Sequence, residues 1–145
     1  MYQQNLVCIT GIVDTDLSAK QYHFVDMDTN GDIVAVSTAG GKVLGVLQNN
    51  PDGSATQDKL ATVAVAGITM VKAGGVINPG VWVKSDHTGK AVDIGATPST
   101  VGSAPGPVIG SYACGIHVGR TAAAANDLVP ILLLHAGAVP TLIAS

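Results

Sequence analysis

The sequence predicts an all-β fold, a small β-barrel or sandwich with an extended N-terminal arm and a C-terminal tail, and three observations predict it. β-branched and other apolar residues recur at period two or in short runs. Turn-forming residues separate those runs, with 18 Gly and 7 Pro among 145 residues. Helix formers suited to an exposed face are few, because all ten acidic residues are Asp and only six Lys, one Arg and a few Gln remain.

The polar start Tyr2-Gln3-Gln4-Asn5 leads into a weak alternation of Leu6, Cys8 and Thr10, which suits an edge strand or an extended arm. Strands are then expected at 22–25, 33–36, 43–47, 60–65, 68–71, 81–83, 91–94, 109–118 and 128–134. Turn chemistry lies between them. Asn30-Gly31 separates the first two and is the strongest short hairpin signal. Gly40-Gly41 precedes the third strand, Asn49-Asn50-Pro51-Asp52-Gly53 follows it, and Asn78-Pro79-Gly80 and Thr88-Gly89 bracket the strand of Trp82. The polar stretch 49–58 and the Pro-, Ser-, Gly- and Thr-rich stretch 96–107 are expected to be surface loops. Ala-rich 122–125 is too short for an independent helix and reads as a loop or a single turn. The chain thus divides into an N-terminal arm or edge strand (1–19), a β-rich core domain (20–135) and a C-terminal tail (136–145).

Hydrophobic residues make up 47% of the chain and charged residues 12%, about half the ~25% of an ordinary globular domain. Such a chain leaves apolar or neutral surface exposed, which marks subunit interfaces. The net charge of −3, with no Lys or Arg cluster interleaved with aromatics, argues against nucleic acid as a partner. Residues 1–9 lack a basic leader and a long apolar segment, so no secretory signal is expected. The apolar stretch 128–145 is broken by Pro130, His135, Gly137 and Pro140, whereas a spanning helix needs roughly 20 apolar residues. No membrane partner is expected. Cys8 and Cys114 are too few for a disulfide framework, and their apolar neighbours suggest two free, buried thiols.

The candidate chemical motifs fall short one by one. Asp26-Met27-Asp28-Thr29-Asn30-Gly31 opens like a calcium loop, but Ser37 stands where the bidentate acid belongs, so a hairpin turn is expected. Gly40-Gly41-Lys42 lacks the spacing and the hydroxyl of a phosphate loop, since Val43 follows. Gly115, Gly119 and Arg120 lack the strand, turn and helix order of a dinucleotide site. His23, His87, His117 and His135 show no close paired spacing with each other or with the cysteines, so no metal is expected. Ser85-Asp86-His87 holds three triad residue types, but neighbours on a strand point to opposite faces and cannot form a relay. No catalytic residue and no cofactor is expected, and the chain reads as a non-enzyme. Trp82, the only tryptophan, is set opposite in phase to Val81 and Val83 and either anchors an interface or fills one face of the core.

Residues 65–83, VAGITMVKAGGVINPGVWV, lead into Asp86-His87-Thr88-Gly89-Lys90-Ala91-Val92. This run resembles the capsid cement, or decoration, proteins of tailed-phage heads, a family long classed as a domain of unknown function. Their pattern has a strand and Gly, an apolar strand, an I-x-x-G turn, a strand with an aromatic residue and a D-x-x-G-K turn. Gly41-Lys42-Val43-Leu44-Gly45-Val46 looks like the family's early G-x-x-x-G-V strand. Ile109-Gly110 and the stretch 122–134 look like its closing strands. The resemblance covers roughly residues 20–135. It implies a structural, β-barrel-like subunit, homotrimeric, made in the host cytoplasm and seated on the outer capsid surface of a bacteriophage virion. There it would join capsomers of the major capsid protein. The segments beyond the family core, Tyr2, Gln3, Gln4, Asn5 and Leu6 at one end and Thr141, Leu142 and Ile143 at the other, are expected with Trp82 to contact partner subunits. A head-mounted module binding a glycan or host surface is the alternative, but a glycan site needs exposed aromatics, and the chain has few.

Overall fold

The computed structural model describes residues 4–54, 58–95, 111–135 and 138–139, with side chains of 6–54, 58–95 and 112–135. Its strands are β1 (Gln4–Ile12), β2 (Phe24–Met27), β3 (Ile33–Ala35), β4 (Gly45–Leu47), β5 (Leu60–Lys72), β6 (Trp82–Ser85), β7 (Ala91–Asp93), β8 (Ser111–Tyr112), β9 (Gly115–His117), β10 (Leu128–Leu133) and β11 (Ala138–Val139). No helix occurs among the described residues. The fold is all-β, an antiparallel sheet curled into a half-barrel.

The main sheet runs β3-β2-β4-β5-β10-β9-β6-β7, with β1 paired to β5 off this path, and β8 and β11 pair separately. The long β5 organises it. Both β1 and β4 pair with Val63 and Ala64, so they occupy opposite edges of β5; β1 and β10 both pair with Ile68. β4 and β10 therefore share one edge in succession while β1 runs along the other. Between the two stretches lies Gly67 at φ 96°, and the β1–β5 register shifts opposite it. The sequence suggested two strands, 60–65 and 68–71. They are one strand, because a glycine can carry positive φ inside a ladder without ending it.

The curl brings β7 back to the end of β5. Ala73 bridges Ala91, and the Gly74 N–H donates to the Ala91 carbonyl at 2.8 Å. The Phe24 N–H donates to the Gly89 carbonyl at 2.7 Å, tying the turn before β7 to β2.

Alternation then divides the core in two. Phe24, Val46 and Ala64 point into the curl with Val71, Ile77, Val83, Val129 and Ile131. Their neighbours Val25, Leu47 and Val63 point to the other face, where Val13, Leu17, Ile33 and Ala61 cover them. The sheet β2-β4-β5 is thus buried on both faces, as its unbroken burial along β4 records. Each large aliphatic side chain removed from water contributes about 1.5–3 kcal/mol. Phe24 is the largest fully buried side chain, so the core is built from Val, Ile, Leu and Ala around one ring.

The hairpin expected at Asn30-Gly31 joins β2 to β3. Gly31 takes φ 87°, and the Asp28 carboxylate accepts the N–H groups of Asn30 and Asp32 at 2.9 Å each.

One thiol corrects the sequence reading. Cys114 is buried as expected, but Cys8 is exposed. Its apolar neighbours Val7 and Ile9 lie on β1, an edge strand that carries 54% and 36% exposed side chains itself, so local hydrophobicity does not report burial there.

Candidate interaction surface

Cross-strand partners project to the same face of a sheet. Ile68 on β5 pairs with Leu132 on β10, Leu132 with Ile116 on β9, and Ile116 with Trp82 on β6. The Ile94 N–H continues the row, donating to the Trp82 carbonyl at 3.0 Å. Their chain neighbours of opposite phase, Val83, His117 and Ile131, are buried inside the curl. Ile94, Trp82, Ile116, Leu132 and Ile68 therefore form one apolar stripe across the outer face of four strands and the turn after β7. The four aliphatic members are half-buried and Trp82 is 42% exposed. A second apolar area lies on β1 and its partner, where Val7, Ile12 and Leu60 are about half exposed and Ile12 pairs with Leu60. From Gln4 to Gly11 the outer edge of β1 pairs with no strand among the described residues.

Of the residues singled out in the sequence, Trp82 takes its place on the outer stripe. Gln4 and Asn5 lie in the backbone of β1, and Leu6 is partly buried against the core inside the curl. Tyr2, Gln3, Thr141, Leu142 and Ile143 lie outside the described residues. The other members of the stripe escaped notice because each comes from a different strand or turn. Only register brings them into a row, although each occupies the outward phase of its strand.

The motif residues have structural duties. The Ser85 hydroxyl donates to the Asp86 carbonyl oxygen at 2.9 Å, and the Asp86 carboxylate accepts from the Thr88 N–H at 2.8 Å and the Thr88 hydroxyl at 2.7 Å. The Asp86 carboxyl is held below the usual range: burial opposes this, while the bonds from Thr88 and Lys90 outweigh it. Lys42 forms an ion pair with Asp26 at 2.9 Å, so the glycine turn serves the hairpin beside it. Among the described residues, no group of three or more His, Cys, Asp or Glu could hold a metal ion.

His117 is 2% exposed, and its Nδ1 is buried with no hydrogen-bond partner. It lines a cavity of about 320 Å³ with Met70, Arg120, Thr121 and Asp127. A Cβ at Gly119 would stand 2.6 Å from the His117 Nε2, so that glycine makes room for the imidazole.

No protein-family model matches the chain, and no curated protein matches it in sequence. In fold it is similar to the crystal structure of the N base of head fiber gp8.5 of bacteriophage phi29, with a TM-score of 0.60. The two are 18% identical in sequence, and the likeness covers 90% of this chain and 95% of that one.

Proposed function

We propose that the chain is a structural protein of a phage head. In this reading it binds the outer capsid surface as a homotrimer and stabilises contacts between major-capsid-protein capsomers. The observation that carries the reading is the likeness in fold to a head fiber base, because it extends over nearly the whole of both chains rather than one shared motif. The order of strands and turns that resembles cement proteins supports it, as does an outer stripe of five apolar side chains on a chain with 12% charged residues.

The work of such a protein is adhesion. A subunit that binds the assembled shell and not its separated parts favours the shell by RT ln(1 + [L]/Kd), and a symmetric trimer adds avidity to each modest contact. Residues 2–6 and 141–143, together with Trp82, supply contacts to neighbouring subunits or to the capsid in this proposal. Adding the purified protein to phage heads that lack it, and imaging them by electron cryomicroscopy, tests the reading. Ordered density over capsomer junctions is the expected result; bare shells at saturating protein would overturn it. Removing residues 2–6 or 141–143 without loss of occupancy would remove those segments from the contact.

A further inference from the structure

Away from the outer stripe, positive charge gathers at one place. A cavity of about 320 Å³ is lined by Ser18, Gln21, Tyr22, His23, Lys72 and Asn126, among others. Lys72 lines it, and two lysines from other parts of the chain border it. Lys72 ends β5 and lines the cavity, its backbone N–H donating to the Tyr22 carbonyl at 2.8 Å. Lys90 stands on the turn before β7, with its Nζ 2.9 Å from the side-chain oxygen of Asn126, which lines the cavity. The Lys20 Nζ donates to the Thr88 carbonyl at 3.0 Å, on that same turn. All three ammonium charges act on the buried His23 ring.

None of the three is in an ion pair with a described residue. The ion pairs among the described residues are Lys42–Asp26 and Lys59–Asp14. The carboxylates on the adjoining turns are engaged locally: Asp16 with the Ser18 N–H, Asp86 with the N–H groups of Thr88 and Lys90, and Asp127 with the Ala124 N–H. Gathering three like charges opposes folding in the unliganded chain. Backbone strain marks the same cavity. Tyr22 at φ 62° and Asn126 at φ 71° are the non-glycine residues with positive φ among the described residues, and both line it. A tyrosine takes that conformation reluctantly, and such strain concentrates where ligands are held.

We propose that this cavity is a binding site for a doubly charged phosphate group, free or as a monoester, held by the ammonium groups of Lys20, Lys72 and Lys90. Lysine is a good point-charge partner for phosphate, and three cations suit a dianion better than a single carboxylate. The site is separate from the outer stripe and does not depend on the capsid reading.

Titrating the isotopically labelled full chain with inorganic phosphate, and separately with glycerol 2-phosphate, at constant ionic strength tests it. Saturable amide shifts at Gln21, Tyr22, His23, Lys72 and Asn126 are expected, and whichever compound binds more tightly distinguishes the free from the esterified ligand. Lys72→Gln and Lys90→Gln should each weaken binding by about tenfold or more, while Lys84→Gln should not. In phosphate-free buffer the same two variants should melt no lower than the parent, because they relieve repulsion; a residue kept only for structure would behave oppositely. Absence of saturable shifts with either compound, equal shifts with chloride, or an equal loss in Lys84→Gln would overturn the proposal.

Discussion

The two thiols show how differently one residue type behaves by position. Cys114 is buried between β8 and β9, and burial pushes its thiol up to about 11, against a weaker opposing bond from the Ser85 backbone. Cys8 is exposed on β1. A thiol reagent at pH 8 should therefore label one cysteine of the folded protein quickly and the second only after denaturation; rapid labelling of both would contradict the burial of Cys114. His23 gives the complementary acid prediction. Burial holds its imidazole below the usual range, the three neighbouring ammonium charges act in the same direction, and the Nδ1 bond to the Gln21 carbonyl at 3.0 Å opposes them. The folded state thus takes up this proton less readily than the unfolded chain. Its contribution to stability is complete above about pH 6.5 and is lost as pH falls below that value. Between pH 7.5 and 5.5 the melting temperature of the parent should fall further than that of His23→Gln, and parallel falls would show that His23 does not carry the effect. Neither environment was legible in the sequence, because the exposure of Cys8 and the convergence of Lys20, Lys72 and Lys90 on His23 depend on pairings far apart along the chain.

At the scale of elements, the period-two pattern located strands well where one face meets the core, as on β6 and β10, whose burial alternates or runs continuous as the residues suggest. Turn residues located the β2–β3 hairpin for the same local reason, since Asn30-Gly31 and the Asp28 carboxylate need nothing distant. β5 was less legible. Gly67 reads as a break in sequence, yet it holds φ 96° inside a continuous strand and lets one 13-residue element serve β1 along one edge and β4 then β10 along the other. Gly67→Ala places a side chain in left-handed backbone and should cost about 1–2 kcal/mol. For a chain of this size that is a fall in melting temperature of about 3–6 °C. A circular dichroism melt checks it, and an unchanged midpoint would mean that β5 can bend without positive φ at this position.

For the whole molecule, the question is what a half-barrel with an apolar outer row does in an assembly. The core residues inside the curl are complete without Trp82, which stands 42% exposed between half-buried Ile94 and Ile116. A large ring left in water next to aliphatic neighbours adds little to the stability of a lone subunit, and becomes favourable once a partner covers it. The row itself was not visible in the sequence, since its register is set by separate strand pairings, although the opposite phase of Trp82 and Val83 was. Because Trp82 is the only tryptophan, intrinsic fluorescence reports on this position alone. If subunits associate or bind a capsid as proposed, emission should shift to shorter wavelength. Trp82→Lys should leave the melting temperature of the monomer nearly unchanged and weaken association by about tenfold or more, in the range of a buried aromatic at an interface centre. If the variant instead unfolds, Trp82 belongs to the stability of the subunit. If it folds and associates like the parent with no wavelength shift, the contact lies on another face, and the exposed Val7, Ile12 and Leu60 around β1 become the surface to alter next.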